Sequence, residues 1–173
     1  MAPHSPGNTL KRVSTPCIGV CSTVFGDTVC RGCKRFVHEV VHWNSYSDAE
    51  KAIVWQRLDN LVKLVVSNYF VVTDAARLRA AMEYQNLRFQ SELSPEGWVP
   101  DLLKAAGRQR LDYAAFGLRP LTATADRTAR ELYDIISAEF YALSRAHHER
   151  GFLQASRVQT LMGEALAQSN PNE

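Results

Sequence analysis

Cys17, Cys21, Cys30 and Cys33 are all the cysteines of this 173-residue chain, and they follow one another as C-x3-C-x8-C-x2-C. Core packing does not crowd thiols in this way. Two close pairs joined by a short loop can set their sulfurs at the corners of one tetrahedron, the geometry of a structural zinc or of a cysteine-ligated iron–sulfur cluster. Gly19 and Gly32 lie inside the two pairs and Gly26 in the loop between them. Lacking a Cβ, such residues let the backbone turn and aim N–H groups at thiolates. Arg31, Lys34 and Arg35 flank the second pair, where positive charge lowers thiol pKa values and offsets a tetrathiolate. Sulfur ligands suit zinc and iron alike. The compact loop and the lack of any motif that needs electrons put zinc slightly ahead. For a cluster, Ile18, Val20, Val24, Phe25 and Trp43 would be the shield against water.

Other thiol chemistries fit less well. Four cysteines allow three disulfide pairings, but the opening residues MAPHSPGNTLKRVSTP contain no apolar h-region. The expected location is therefore cytoplasmic, where stable disulfides are disfavoured. A redox dithiol at Cys30 and Cys33 calls for a βαβ frame that the pattern does not provide. The eight-residue spacer excludes the C-x3-C-x2-C pattern of radical-type clusters. His38 and His42 are spaced i, i+4, but no third His or carboxylate follows at matching spacing, so surface or helix-end roles are expected. Phosphate-binding glycine loops, nucleophile–His–Asp sets and paired catalytic carboxylates are missing, and the reading leans away from an enzyme.

The residues around the cysteines carry a longer signature: Pro16-Cys17-Ile18-Gly19-Val20-Cys21, then Cys30-Arg31-Gly32-Cys33, Glu39, Trp43 and Ser47-Asp48-Ala49-Glu50. Over about residues 15–60 this resembles the small bacterial YdhL-like family of unknown function, labelled "predicted Fe-S protein". The resemblance implies a cluster at the cysteines and carries no reaction with it.

Charge narrows the partners. Residues 1–46 hold five basic and two acidic groups and the remainder 15 and 16, for a net +2. Neither part has the basic excess that phosphate neutralisation demands, so nucleic acid is disfavoured as a partner. The longest apolar run, around Tyr69–Val72, is too short to span a membrane. A hydrophobic content of 46% is enough for one globular core.

The elements that must hold the cysteines read as helices. Residues 1–14 are polar and expected to be a flexible tail. Lys34 to His42 reads as a short helix, with Trp43 packing over the cysteine loop. Ser47 and Glu50 form a capping box, opening a helix with Val54, Leu58, Leu61, Val62 and Val65 on one face. Residues 65–73 fit either its continuation or a buried extended segment; with no second strand signal of similar strength to pair with them, they read as helix and then a turn. Thr73-Asp74 caps a third helix with Leu78, Met82, Gln85 and Phe89 inward. Residues 94–100 read as a loop with Pro and Gly breakers. Asp101 opens a fourth helix, carrying Leu102, Ala106, Tyr113 and Phe116 and ended by Gly117 to Pro120. The longest helix runs from Thr124 to about Arg150, with Gly151 as its C′ residue, and a last one from Leu153 to Ala167. Glu139 falls in the apolar stripe of the long helix, where an arginine is the expected partner and a pair with His147 the alternative.

The expected fold is thus all-α: a small irregular four-cysteine metal knob (15–46), an irregular bundle of about five helices (47–168) and a tail (169–173). The leading functional expectation is a non-enzymatic, metal-stabilised interaction module with a protein partner. The alternative is an iron–sulfur electron-transfer or redox-sensing protein. A nucleic-acid-binding zinc protein ranks last.

Overall fold

A computed structural model describes residues 14–124 and 126–168. The tails expected at 1–14 and 169–173 lie outside these residues, Ser14 apart. Over the described residues the protein is all-α, with five helices and one two-stranded antiparallel sheet. The elements are α1 (Val37–Val41), α2 (Asp48–Val66), β1 (Phe70–Val72), α3 (Ala75–Tyr84), α4 (Pro95–Ala106), β2 (Leu118–Pro120) and α5 (Ala129–Gln168).

Local signals start three of the helices. The Ser47 N–H donates to Glu50 Oε2 at 2.7 Å and its Oγ accepts from the Glu50 N–H at 3.3 Å, the expected capping box of α2. Asp74 accepts from the Arg77 N–H at 2.9 Å and opens α3. Thr128 and Glu131 make a second reciprocal box, so α5 begins at Ala129 rather than at Thr124. The predicted stripe of α2 is buried in full, and Leu78 and Met82 of α3 are buried with it. Val62, Val65, Leu78 and Met82 meet Trp98, Val99, Leu102 and Leu103 of α4 and Leu132 and Ile136 of α5 in the main core, while Val54 and Leu58 pack with Trp43 in a second, smaller cluster.

Three expectations are corrected. First, α2 stops at Val66, and residues 70–72 pair as a strand with Leu118–Pro120 in the register Phe70↔Pro120, Val71↔Arg119, Val72↔Leu118. The partner strand hid behind Pro120, which has no N–H to donate and is tolerated because both strands are edges. Gly117 makes the turn into β2 at φ +67, and its carbonyl accepts from the Thr73 and Asp74 N–H groups. Second, residues 94–100 are not a loop: Pro95 occupies the first turn of α4, where its missing N–H has no intrahelical role. Asp101 lies mid-helix, one residue after Pro100. An interior proline costs about 3 kcal/mol, whereas burying Trp98, Val99, Leu102 and Leu103 stabilises by about 1.5–3 kcal/mol each. Past Gly107 the expected continuation is a 3-10 turn, Tyr113–Phe116, capped by Asp112. Third, the two C-terminal helices are one, and Gly151 lies inside it at a cost of about 1 kcal/mol.

Glu139 is also elsewhere than expected. It is exposed on α5 and accepts a 2.5 Å hydrogen bond from the Tyr69 hydroxyl instead of an ion pair from an arginine. His147, two turns on and exposed, stands about 12 Å away along the helix axis, too far for a pair.

Candidate metal centre

The second cysteine pair is held by a chain reversal. Val29 and Phe36 form an antiparallel bridge, the Cys30 N–H donates to Arg35 O at 2.8 Å, and the Lys34 N–H returns to Cys30 O at 2.8 Å. Lys34 takes a left-handed backbone conformation, φ +60, uncommon for a residue with a Cβ. That conformation turns its side chain inward, where Nζ donates to Gly32 O at 3.1 Å and to Ser137 Oγ of α5 at 2.8 Å. Cys30 and Cys33 are both buried in this turn.

The first pair lies against the second. A Cβ on Gly32 would come 2.8 Å from Val20 O and 3.0 Å from Ile18 Cγ1, so this position must be glycine for the two loops to touch. The Cys30 thiol points to Val20 O at 3.7 Å, across the same contact. Cys17 is exposed and Cys21 half-buried. The four cysteines do not form a closed set: among the described residues, no three Cys, His, Asp or Glu side chains gather as metal ligands would.

Each sulfur nevertheless faces a donor. Cys17 Sγ accepts from the Gly19 N–H at 3.4 Å, and Cys21 Sγ shares a hydrogen bond with Thr23 Oγ1 at 3.0 Å. Cys33 Sγ accepts from Arg35 Nε at 3.3 Å and from the Arg35 backbone N–H. Burial acts against ionising Cys30, but backbone N–H groups of Cys33, Ser22 and Gly32 outweigh it and bring the thiol down to about 7. The sequence expectation that Gly19 and Gly32 aim N–H groups at sulfur is met. The expectation that flanking cations lower the thiol pKa values is not: at Cys33 burial prevails over Arg35 and raises the pKa. Arg31 points away, bonded to Asp27 and lying over the Tyr141 ring.

Behind Cys33 lies a polar layer with no counterpart in the sequence reading. The Arg35 guanidinium lies 4.7 Å from the Trp43 ring centroid, so Trp43 packs behind the arginine rather than on the sulfurs. Arg57 of α2 covers Phe36 at 3.8 Å and pairs with Glu39 at 2.6 Å. Glu39 also accepts from the Phe36 N–H at 2.8 Å, tying down the start of α1. Buried donors remain over: Arg35 Nη1 and Arg57 Nε and Nη1 have no partner. Arg57 beside the stripe of Val54, Leu58 and Leu61 was the readable signal for this layer. His38 and His42 are exposed, as expected.

Residues 15–61 match a family model described as "Protein of unknown function (DUF1289)". The match takes in the four cysteines, α1 and most of α2, and it attaches no cluster to the thiols. No curated protein and no solved structure matches the chain.

The residues present fit a thiolate-bound metal in three respects. The donor set is soft sulfur, the Gly32 contact holds the first loop against the second, and the buried Arg35 guanidinium, with Nη1 unpartnered, already donates Nε to Cys33, a bond that a thiolate would strengthen.

Proposed function

We propose that Cys17, Cys21, Cys30 and Cys33 bind a metal, and that the loop it folds is a non-enzymatic protein-interaction module. One observation supports the interaction reading above others. Ile18, Val20, Val24 and Phe25, the residues that would have shielded a cluster, are 52%, 71%, 73% and 87% exposed. Four large apolar side chains turned outward on one short segment contribute nothing to the core, and a partner's surface would take them out of water. Zinc is the metal favoured. It would be structural, and its binding energy would be folding energy for a loop with little core of its own. A protein of this kind fits a cytoplasmic setting.

Donation of N–H groups to the sulfurs favours a second reading, an iron–sulfur electron-transfer or redox-sensing protein, because such contacts tune cluster potentials. Anaerobic purification from cells supplied with both metals separates the two. A colourless protein with about one zinc supports the first, and a brown protein with near-stoichiometric iron supports the second. The interaction is tested with a photo-crosslinking residue at Phe25 and, as a control, at exposed Tyr84. A defined protein adduct at position 25 that is lost on Cys30→Ser is expected. The same adducts at both positions, or none at 25, overturn it.

A further inference from the structure

A cleft of about 810 Å³ opens between the cysteine loops and the helices, within the size range of sites that hold small organic molecules. Its walls are mainly apolar, with Leu58, Val62, Leu93, Ile136 and Phe140 prominent. Charged groups interrupt them on two sides: Lys34 from the cysteine loop, and Asp101 and Lys104 from α4. A fourth, Asp59, is already satisfied by the Ser94 N–H and hydroxyl.

The others are not. The Lys34 ammonium donates to two neutral oxygens, Gly32 O and Ser137 Oγ, and lies 5.6 Å from the Phe140 ring centroid. Cys30 and Cys33 are near enough to act on its charge, but among the described residues one of its three N–H groups is left without a hydrogen-bond partner and no carboxylate pairs with it. Lys104 is near enough for its charge to be felt at Lys34 and at Asp101. Arg88 adds a further positive charge on the lining. Asp101 takes no hydrogen bond from a described residue. Burial pushes its carboxyl up to about 6, so beside a second acid it can hold its proton and donate. Lys34 is the buried cation among them, and a buried charge is costly unless paired; around the cleft Lys34, Arg88 and Lys104 outnumber the two carboxyls, Asp59 and Asp101.

We propose that this cleft binds a small organic acid, its apolar body against the α2 and α5 wall and its carboxylate between Lys34 and Lys104. The site requires the cysteine loop to be folded, but not any particular metal to fold it.

Calorimetric titration of the full chain as purified tests this, with octanoate and 2-naphthoate as alkyl and aryl acids and octan-1-ol as the neutral counterpart. One-to-one binding of at least one acid is expected, about tenfold tighter than the alcohol, since one charge pair of modest strength corresponds to that ratio. Lys104→Met, on an exposed residue, should remove most of that advantage and leave the alcohol unchanged. Lys34→Met should do the same if it folds. Ala105→Trp, which fills the cleft from its α4 side, should abolish binding of acid and alcohol together. No saturable binding up to about 1 mM, a limit of roughly −4 kcal/mol, overturns the proposal. So does equal affinity for acid and alcohol, or binding that Lys104→Met and Ala105→Trp both leave intact.

Discussion

Removing the Glu39 carboxylate should cost the cysteine loop most of its anchorage. Its Oε2 takes the Phe36 N–H at 2.8 Å and Arg57 Nη2 at 2.6 Å, with the two side chains only 8% and 19% exposed. Burial pulls the Arg57 pKa down in spite of Glu39, so the pair as a whole is not a strong source of stability. Breaking it is different. An uncompensated buried guanidinium costs about 3–5 kcal/mol, and loss of the acceptor at the start of α1 costs about 1 kcal/mol more. With the Cys33 sulfur still beside Arg57 in the metal-loaded protein the lower end applies, and Glu39→Ala should lose about 4 kcal/mol in urea unfolding. Glu39→Gln keeps an acceptor for the Phe36 N–H and should recover about 1 kcal/mol of that. The double variant Glu39→Gln/Arg57→Met removes both charges and should come within about 1.5 kcal/mol of the parent. A loss below about 1 kcal/mol for Glu39→Ala, with the m-value unchanged, refutes that anchorage. A double variant as damaged as Glu39→Ala refutes it equally.

Four further outcomes are expected. Ser47→Ala removes the acceptor for the Glu50 N–H and should cost about 1 kcal/mol; a change under about 0.3 kcal/mol would mean the cap contributes nothing. Gly117→Ala places a Cβ against the Asp74 backbone at φ +67 and should cost about 2 kcal/mol or more, read as a lowered urea midpoint. Chelation should leave most of the helical circular dichroism, because the main core contains no residue before Val62, while near-ultraviolet signal from Trp43 is lost; global unfolding would contradict this. Asp101 binds its proton more tightly folded, with a pKa of about 6, than unfolded, so stability should rise as pH falls from above 6 toward 4, by at most about 3 kcal/mol, and Asp101→Asn should flatten that slope.

What could be read in the chain was what neighbours in sequence decide. Ser47 with Glu50, Asp74 with the Arg77 N–H, and Gly19 and Gly32 within their cysteine pairs act over two or three residues, and each appears where expected. The apolar stripe of α2 is equally local, a matter of 100° per residue. The failures involve partners far along the chain or burial set against propensity. Phe70–Val72 is a strand only because residues 118–120, too short and proline-bearing to announce themselves, pair with it. Pro95, Gly97 and Pro100 look like a loop until the burial of Trp98 and Val99 is weighed against them. With that error Asp101 and Lys104 became a helix start, and the cleft they border was invisible. Glu39 and Arg57 lie 18 residues apart, and nothing short of the fold pairs them.

The polar layer behind Cys33 connects the centre to the body through energy rather than contact alone. Arg35 Nη1 and Arg57 Nε and Nη1 are buried without partners, and each such donor costs about 1–3 kcal/mol. A neutral Cys33 thiol is a weak acceptor and does little to reduce that cost. A metal would hold the same sulfur as a thiolate, adding negative charge, partly offset by the ion's own, beside both guanidiniums. Arg35 would then be fixed between the sulfur and Trp43, and Arg57 between the sulfur and Glu39, which starts α1. Metal binding at the loop would thus tighten the very residues that join the loop to α2. Loss of metal would loosen them together, while the core around Leu78, Leu103 and Leu132 stays packed. The cleft inherits the same dependence, because Lys34 reaches its wall only from the turn that holds Cys30 and Cys33.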